Sequence, residues 1–412
     1  MSEHRSKKTA DDLRGVSKLA IDATTGITDL VEAMHRNIAR VPGLTASLEN
    51  GRTHGITGFV YRTVRGVTRV VGGGIDAALA LAAPLIGNFT DVPARDAVQS
   101  ALNGVLGDHL VASDNPLAIA MQFRRNGAAL TLDKQALASA IPDASGTLLL
   151  LVHGLCMNDL QWTMARADGA LHNHGVALEQ DSGCTAIYLR YNSGLHVSTN
   201  GAAFSALLDE LIAAWPVKVK ALHIVGHSMG GLVTRSACHC AAESAHAWPK
   251  HLRKIVFLGT PHQGAPLERG GHWIDVILGA TPYAKPFAKL GKIRSSGITD
   301  LRHGSVLDAD WQLSDRFDSG ASPRHPLPLP AGVKCFTIAG TIAAPKRPLA
   351  GALAGRVVGD GLVPLSSALG EHKDAAFTLN FPADRQVTLA ETNHMQLLSR
   401  APAYEVIKRF LA

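Results

Sequence analysis

The sequence predicts an α/β fold with a mostly parallel sheet and helices on both of its faces. Five short apolar runs are typical of strands buried on both sides, and patterns of helical period lie between them. The predicted strands cover residues 147–152, 185–190, 221–225, 254–258 and 334–339, and the clearest helices cover 200–215 and 230–245. Because strands and helices alternate, polar functional groups are expected at the carboxyl ends of the strands.

Composition defines the broad class of the chain. Of its 412 residues, 46% are hydrophobic and 18% are charged, which suits a large core and excludes a disordered chain. Five cysteines are too few for a disulfide scaffold. The net charge of +6 is modest, only 5% of the residues are aromatic, and no nucleic-acid motif is present. Nucleic acid is therefore not an expected partner.

Residues 1–115 are predicted to form a helical extension. Apolar residues recur at helical spacing over 9–40, 60–81 and 94–111, and Asn115-Pro116 ends the region. Two roles stay open for it. The helices pack on the neighbouring domain or on a second copy of the chain, or residues 55–90 make a peripheral membrane contact through an apolar stripe flanked by arginines.

A membrane-spanning helix is not expected in this extension. The longest apolar stretch, residues 70–87, contains three consecutive glycines, Asp76 and Pro84. The first twelve residues are polar and no apolar signal core follows them at the usual distance. We therefore expect a cytoplasmic protein, with peripheral membrane contact as the alternative.

Residues 116–412 are predicted to form the catalytic domain. It opens with a β-hairpin at 121–132, because Asn126-Gly127 supplies the positive φ angles of a tight turn. Residues 264–330, rich in Gly, Pro and Ser, interrupt the alternation of strands and helices. We expect this insertion to form a cap that lines an apolar pocket; the alternative is a surface excursion unrelated to ligand.

The strongest motif is the sequence 226–231, Gly-His-Ser-Met-Gly-Gly. It matches G-x-S-x-G, directly follows the apolar run 221–225 and precedes a helical pattern. In that context the serine sits on a sharp turn between strand and helix, with its hydroxyl projecting from the sheet. Gly226 and Gly230 keep side chains out of the turn. Ser228 is the predicted nucleophile.

A serine hydroxyl needs a base, and the base needs an orienting acid. His394 is the best-placed histidine after Ser228, because it follows the short alternation 387–389 and precedes the C-terminal helical pattern. Asp360 is the predicted acid, since glycines on both sides allow a sharp turn that presents its carboxylate. Asp374 and Asp384 are the alternatives for the acid.

Two backbone N–H groups are expected to form an oxyanion hole. One belongs to Met229, the residue after the nucleophile, and the other to Leu155, in the loop after the strand 147–152. Gly154 allows close approach to substrate, and His153 is expected to fix the loop by hydrogen bonding rather than to act as a base.

No metal or cofactor is expected. The triplet Cys238-His239-Cys240 lies in a helical pattern, where adjacent side chains point in different directions and cannot share one ion. The chain has no H-E-x-x-H motif, P-loop or dinucleotide fingerprint. Cys156 is interpreted as a small buried residue, and His262 as structural.

These motifs together resemble the bacterial α/β-hydrolases of the lipase and esterase type, and are similar to the GPI inositol-deacylase-like hydrolases. The resemblance covers roughly residues 117–412 and is carried by His153-Gly154, 191–201, 226–231, 258–265, 359–364 and the loop of His394. It implies an α/β-hydrolase fold with a cap insertion, preceded here by the helical extension. Many secreted lipases of this type carry an export signal and a calcium site, and neither is recognisable in this sequence.

The resemblance and the motifs together predict a serine hydrolase that cleaves small-molecule or lipid carboxylic esters through Ser228, His394, Asp360 and an acyl-enzyme. Two alternatives stay open. One is an acyltransferase or polyester depolymerase that uses the same three residues. The other is an inactive hydrolase fold that acts as a membrane-docked interaction protein.

Overall fold

The computed structural model describes residues 92–265, 295–312, 324–343 and 359–412. The helices predicted over 9–40 and 60–81 lie outside these residues, as do the arginine-flanked stripe of residues 55–90 and much of the predicted insertion 264–330. Within the described parts of the chain, no helix is both long and apolar enough to cross a membrane.

The described residues alternate strands and helices as the sequence predicts. The helices are α1 (Val92–Ala112), α2 (Lys134–Ala140), α3 (His174–Ser182), α4 (Val197–Ala214), α5 (Met229–Glu243), α6 (Ser296–His303), α7 (Leu365–Ala368) and α8 (Ala401–Leu411). The strands are β1 (Gln122–Arg125), β2 (Ala128–Ala129), β3 (Thr147–Val152), β4 (Thr163–Ala165), β5 (Leu171–Asn173), β6 (Thr185–Arg190), β7 (Ala221–His227), β8 (Leu252–Leu258), β9 (Lys334–Gly340) and β10 (Gln386–Leu389).

Eight of these strands form one sheet in the order β10-β9-β8-β7-β3-β6-β1-β2. Neighbours from β10 to β6 pair in parallel, whereas β1 runs antiparallel to β6 and to β2. β4 and β5 form a separate antiparallel pair. The mostly parallel sheet with covering helices confirms the predicted fold class.

The sheet is buried on both faces, as its continuous apolar strands require. Leu148 to Val152 of β3 are each at most 1% exposed. On one face, Leu149 and Leu151 belong to a cluster with residues of α3 and α8, such as Leu178 and Ile407. On the opposite face, α4 and α5 pack together, and α5 lies against β3 and β7. Side chains alternate between these faces along β3.

The predicted element bounds agree closely with the structure. β3 and β6 have the predicted bounds, and β7, β8 and β9 are each longer by one or two residues. The hairpin predicted at 121–132 is present as β1 and β2, with Asn126 and Gly127 at φ 51° and 75° in its turn. The helix predicted at 94–111 is α1.

Contacts divide the chain into two compact units. The first comprises residues 1–95 and 110–118, and the second comprises 96–109 and 119–412. In the described part of the first unit, α1 ends in a turn in which Asn115 N donates to Leu110 O at 2.8 Å. The second unit contains the sheet together with residues 96–109 of α1. The predicted boundary near residue 115 therefore stays a prediction for the residues outside the described ranges.

Residues 96–109 of α1 join the sheet edge through a buried ionic quartet. Arg124 of β1 pairs with Asp96 at 2.8 Å and with Asp159 at 3.0 Å, and Arg190 of β6 pairs with Asp96 at 3.1 Å. All four side chains are at most 7% exposed. Burial raises the pKa of the Asp159 carboxyl, and the positive charges of Arg124 and Arg190 oppose this shift. The quartet balances two positive charges against two negative ones.

Candidate active site

Ser228 lies on a strained turn between β7 and α5. Its backbone has φ 53° and ψ −124°, a conformation that side-chain-bearing residues rarely adopt. The turn is fixed because Ser228 N donates to Leu258 O at 2.9 Å and Gly231 N donates to Ser228 O at 3.0 Å. This conformation presents the serine side chain at the carboxyl end of β7.

The glycines of the motif allow close packing around Ser228. A Cβ atom at Gly226 would lie 2.8 Å from Gly231 Cα, and one at Gly230 would lie 2.2 Å from Val152 O. Gly230 therefore brings the first turn of α5 against the end of β3. A Cβ atom at Gly154 would lie 3.0 Å from Ser228 Cβ, so the loop after β3 also contacts the turn of Ser228.

Asp360 is held in a tight turn after β9. Its Oδ1 accepts hydrogen bonds from Leu362 N at 3.0 Å and Val363 N at 2.8 Å. A Cβ atom at Gly359 would lie 1.7 Å from Val363 O, so the turn requires glycine there. The second carboxylate oxygen, Oδ2, is left to face His394.

His394 and Asp360 form a buried pair. His394 Nδ1 lies 2.6 Å from Asp360 Oδ2, and the two side chains are 2% and 1% exposed. His394 N also donates to Asp360 O at 3.0 Å, so backbone and side chain are both held. Because Nδ1 carries the proton towards the carboxylate, Nε2 is the nitrogen available to act as a base.

Neither alternative acid holds His394 in this way. Asp374 is exposed and caps a short 3-10 helix by accepting from Ala376 N at 3.0 Å. Asp384 is exposed in another short 3-10 helix, residues 383–385. The carboxylate that the structure places against His394 is that of Asp360.

Ser228, Asp360 and His394 follow β7, β9 and β10, which are parallel, so all three lie at the same edge of the sheet. Among the hydrogen bonds of the described residues, none joins the Ser228 hydroxyl to His394. The serine–histidine hydrogen bond of hydrolases commonly tightens only when substrate binds. His394 does contact the strand that carries Ser228, since its ring lies 4.7 Å from that of His227.

The two predicted oxyanion donors lie on adjacent elements. Met229 is the first residue of α5, so its N–H has no acceptor within the helix. Leu155 is 2% exposed in the loop after β3. No hydrogen bond between described residues uses its N–H. The packing of Gly230 against the end of β3 brings the loop and the start of α5 together.

His153 fixes the loop after β3. Its Nδ1 donates to Gly154 O at 2.8 Å, and its Nε2 accepts from Tyr191 N at 3.4 Å. Its ring stacks on Tyr191 at 4.3 Å, and Tyr191 Oη donates to His153 O at 2.8 Å. Burial lowers the pKa of His153 to about 3, so the ring is neutral and both nitrogens are used. This arrangement is that of a structural histidine.

Sequence reasoning assigned no role to His227, which directly precedes Ser228 and contacts His394. Its Nε2 donates to His394 O at 3.4 Å, and its pKa lies well below the usual range, chiefly because of burial. A neutral ring beside His394 adds no competing positive charge. The motif names this position only as a variable one, so the sequence carried no signal for the contact.

His262 is fully buried after β8, against Phe257 at 4.8 Å and Phe381 at 5.6 Å between ring centres. Burial holds its pKa well below the usual range.

The described residues contain no group of three or more His, Cys, Asp or Glu side chains arranged to hold a metal ion.

One known family matches about half the length of the chain. The model of the family described as "PGAP1-like alpha/beta domain" matches residues 143–339. The matched range includes the loop after β3 and the turn of Ser228, and it ends before Asp360 and His394. Together with the sheet topology, this match shows an α/β-hydrolase fold similar to that of the PGAP1-like family. Comparison with curated protein sequences gives no match.

Several solved structures resemble the chain at low identity. The mature lipase BlEst2 of Bacillus licheniformis is 18% identical with a TM-score of 0.41, covering 64% of this chain and 91% of its own. A lipase-esterase related protein of Clostridium acetobutylicum is 15% identical with a TM-score of 0.34, covering 65% and 96%. Lipase B of Aspergillus fumigatus is 12% identical with a TM-score of 0.36, covering 67% and 57%.

Proposed function

We propose that the chain is a serine hydrolase that cleaves carboxylic esters. The observation that carries the proposal is the buried His394–Asp360 pair, with 2.6 Å between Nδ1 and Oδ2, at the sheet edge where the strained turn presents Ser228. A nucleophile turn, an oriented imidazole and backbone N–H groups beside them are the parts that acyl transfer requires.

In the proposed reaction, Ser228 Oγ attacks the acyl carbonyl while His394 Nε2 takes its proton. Asp360 keeps the proton of His394 on Nδ1 and stabilises the imidazolium that forms. The N–H groups of Leu155 and Met229 stabilise the negative oxygen of the tetrahedral intermediate. His394 then donates its proton to the leaving alcohol, and a serine ester remains.

A second half-reaction releases the acid. Water enters, His394 takes a proton from it, and the resulting hydroxide attacks the acyl-serine carbonyl. The same two N–H groups stabilise the second tetrahedral intermediate. Its collapse returns the proton to Ser228, so the chain ends each cycle in its starting state.

The proposal is tested with Ser228→Ala and a fluorophosphonate probe. Wild type is expected to hydrolyse activated short-chain esters and to be labelled on Ser228, because the probe reacts with activated serines. Ser228→Ala is expected to lose labelling and at least about 10³-fold in kcat, since the triad acts as a unit. Turnover is followed by release of p-nitrophenol from the ester, and labelling by mass spectrometry of the tryptic peptide.

Ser139→Ala is the matched control. Ser139 is exposed on α2, where its hydroxyl donates to Gln135 O at 2.9 Å, and its loss is expected to leave activity unchanged. Equal turnover by wild type and Ser228→Ala would overturn the proposal, as would a folded wild type that neither turns over esters nor reacts with the probe.

A further inference from the structure

The loop that carries the Leu155 N–H is held on both sides by residues outside it. We propose that Ser193 and Gly104 are positioning residues that fix the direction of this N–H for the developing oxyanion. The inference rests on the proposed function, because Leu155 is assigned there as an oxyanion donor. Neither residue touches substrate; each acts through Cys156, the next residue along the loop.

Cys156 adopts a conformation that needs support. Its φ is 60°, in the left-handed region that residues with a Cβ seldom enter, and its side chain is 6% exposed. Its N–H donates to Ser193 Oγ at 3.0 Å. Without that acceptor the buried N–H would lack a partner, and the strained φ angle would lose one of its restraints. A relaxed Cys156 would turn the peptide between Leu155 and Cys156, and the dihedrals of Leu155 would pass part of that movement to the peptide that carries the Leu155 N–H.

Gly104 supports the same residue from α1. A Cβ atom at Gly104 would lie 2.2 Å from Cys156 Sγ, 2.9 Å from its Cα and 3.0 Å from its N. The helix backbone is therefore packed directly on Cys156. Gly104 is fixed in turn, because Ser295 Oγ donates to Gly104 O at 2.7 Å. Any larger side chain at residue 104 must displace Cys156 or the helix.

The other end of the loop is held by the same short segment that contains Ser193. Tyr191 Oη donates to His153 O at 2.8 Å, and Tyr191 N donates to His153 Nε2 at 3.4 Å. Residues 191–193, just after β6, therefore hydrogen-bond to the loop both before and after Leu155. On either side of Leu155, His153 and the Cys156 N–H are hydrogen-bonded to residues 191–193. The Leu155 N–H itself makes no hydrogen bond to another described residue.

A shift of the Leu155 N–H should affect kcat and substrate binding differently. An oxyanion donor stabilises charge that is present in the transition state and absent from the bound ester. Displacing the donor should therefore lower kcat and leave KM nearly unchanged. It should also weaken the preference for an oxygen ester over the matching thiono ester, because sulfur accepts the N–H hydrogen bond poorly.

Ser193→Ala is the first test. We expect kcat to fall by roughly 10- to 100-fold, KM to change by less than about two-fold, and the ratio of oxo-ester to thiono-ester rates to fall in step with kcat. Ser193→Thr keeps the hydroxyl and is expected to recover most of kcat. Ser198→Ala is the matched control, since this buried hydroxyl in the same region accepts from Trp311 Nε1 at 2.9 Å and does not touch the loop.

Gly104→Ala is the second test, and it acts through shape rather than through a hydrogen bond. Its added methyl group is expected to lower kcat and the oxo-to-thiono ratio as Ser193→Ala does. In the double variant Gly104→Ala/Cys156→Gly, the Sγ atom at 2.2 Å from this methyl group is gone and glycine adopts φ 60° without strain, while the backbone contacts at 2.9 and 3.0 Å remain. Part of kcat is therefore expected to return.

Each outcome separates this inference from the proposed function. Circular dichroism and melting temperature identify variants that have lost the fold. For these the comparison uses Ser193→Thr and the double variant Gly104→Ala/Cys156→Gly. A Ser193→Ala variant with wild-type kcat, or one whose kcat falls while the oxo-to-thiono ratio stays unchanged, overturns the inference. Turnover that survives Ser228→Ala overturns the proposed function itself.

Discussion

At the scale of single residues, the two oxygens of Asp360 do different work. Oδ1 accepts two backbone N–H groups, from Leu362 and Val363, and so fixes the turn that carries the carboxylate. Oδ2 faces His394 Nδ1 at 2.6 Å. One side chain therefore fixes its own loop and also favours the His394 tautomer with its proton on Nδ1.

Asp360→Asn separates these two tasks. The amide oxygen can still accept both backbone N–H groups, so the fold and melting temperature should be retained. The amide NH₂ group then faces His394 Nδ1 and favours the tautomer with its proton on Nε2, which cannot take the serine proton. We expect kcat for ester hydrolysis to fall by about 10⁴-fold, measured with purified, folded variant.

Asp374→Asn is the control for this change, because the exposed Asp374 caps a short helix and does not contact His394. It should retain wild-type turnover. If Asp360→Asn remained as active as Asp374→Asn, Asp360 would not be the residue that orients the base.

At the scale of elements, the buried quartet joins α1 to the sheet edge. Arg124 contributes to two of its ion pairs, with Asp96 of α1 and with Asp159 in the segment after β3. Removing this guanidinium would leave two buried carboxylates with less compensation. Breaking a buried ion pair from one side is costly, whereas exposed pairs contribute little.

Arg124→Met should therefore lower the free energy of unfolding by about 3–5 kcal/mol, measured by urea denaturation at pH 7. The neighbouring Arg125→Met is the control. Arg125 pairs with Glu179 at 3.1 Å, and both side chains are more than 20% exposed, so its loss should cost at most about 1 kcal/mol. Equal losses for the two variants would show that the quartet contributes no more than a surface pair.

At the scale of the whole molecule, the second unit buries several histidines in their neutral form. Burial lowers the pKa of these groups in the folded chain: that of His153 and His174 to about 3, that of His223 to about 4, and those of His227 and His262 well below the usual range. In the unfolded chain each would titrate near 6.5. Protons therefore bind the unfolded chain more readily than the folded one.

The contribution of these histidines to the free energy of unfolding should therefore be constant well above pH 6.5. It should fall as the pH drops below 6.5. At pH 5, His153 and His174 alone should each remove about 2 kcal/mol from the free energy of unfolding. Urea denaturation at pH 7.5 and pH 5 measures the difference. His174→Gln, which can still donate to Leu397 O as His174 Nε2 does at 2.9 Å, should reduce it. Equal stability at both pH values would contradict this account.

The sequence predicted most of the sheet, because each buried strand is a short run of apolar residues with clear ends. It also predicted the residues that the structure brings to the sheet edge, since motif and chain order restrict Ser228, Asp360 and His394 to particular loops. The proximity of His394 and Asp360 is a structural finding, whereas their catalytic roles stay predictions. The cap and the extension lie largely outside the described residues.

What the sequence could not predict are contacts between distant segments. In the sequence, nothing distinguishes Gly104 from other helix glycines; its role depends on the packing of α1 against Cys156. The strained φ of Cys156 likewise has no signature in sequence, because the residue types that usually mark such angles are glycine and asparagine. The pairing of β4 with β5 and the helix α6 within the predicted insertion also lacked a clear pattern.

The order of strands has a consequence for biosynthesis. On one side of β3, strands β7, β8, β9 and β10 are added in the order in which a ribosome makes them. Until β10 is made, β9 presents an open edge of unpaired backbone groups, which can pair with another chain and aggregate. The segment that closes this edge is followed five residues later by His394. A nascent chain would therefore cover the open edge of β9 and gain its proposed general base at nearly the same moment.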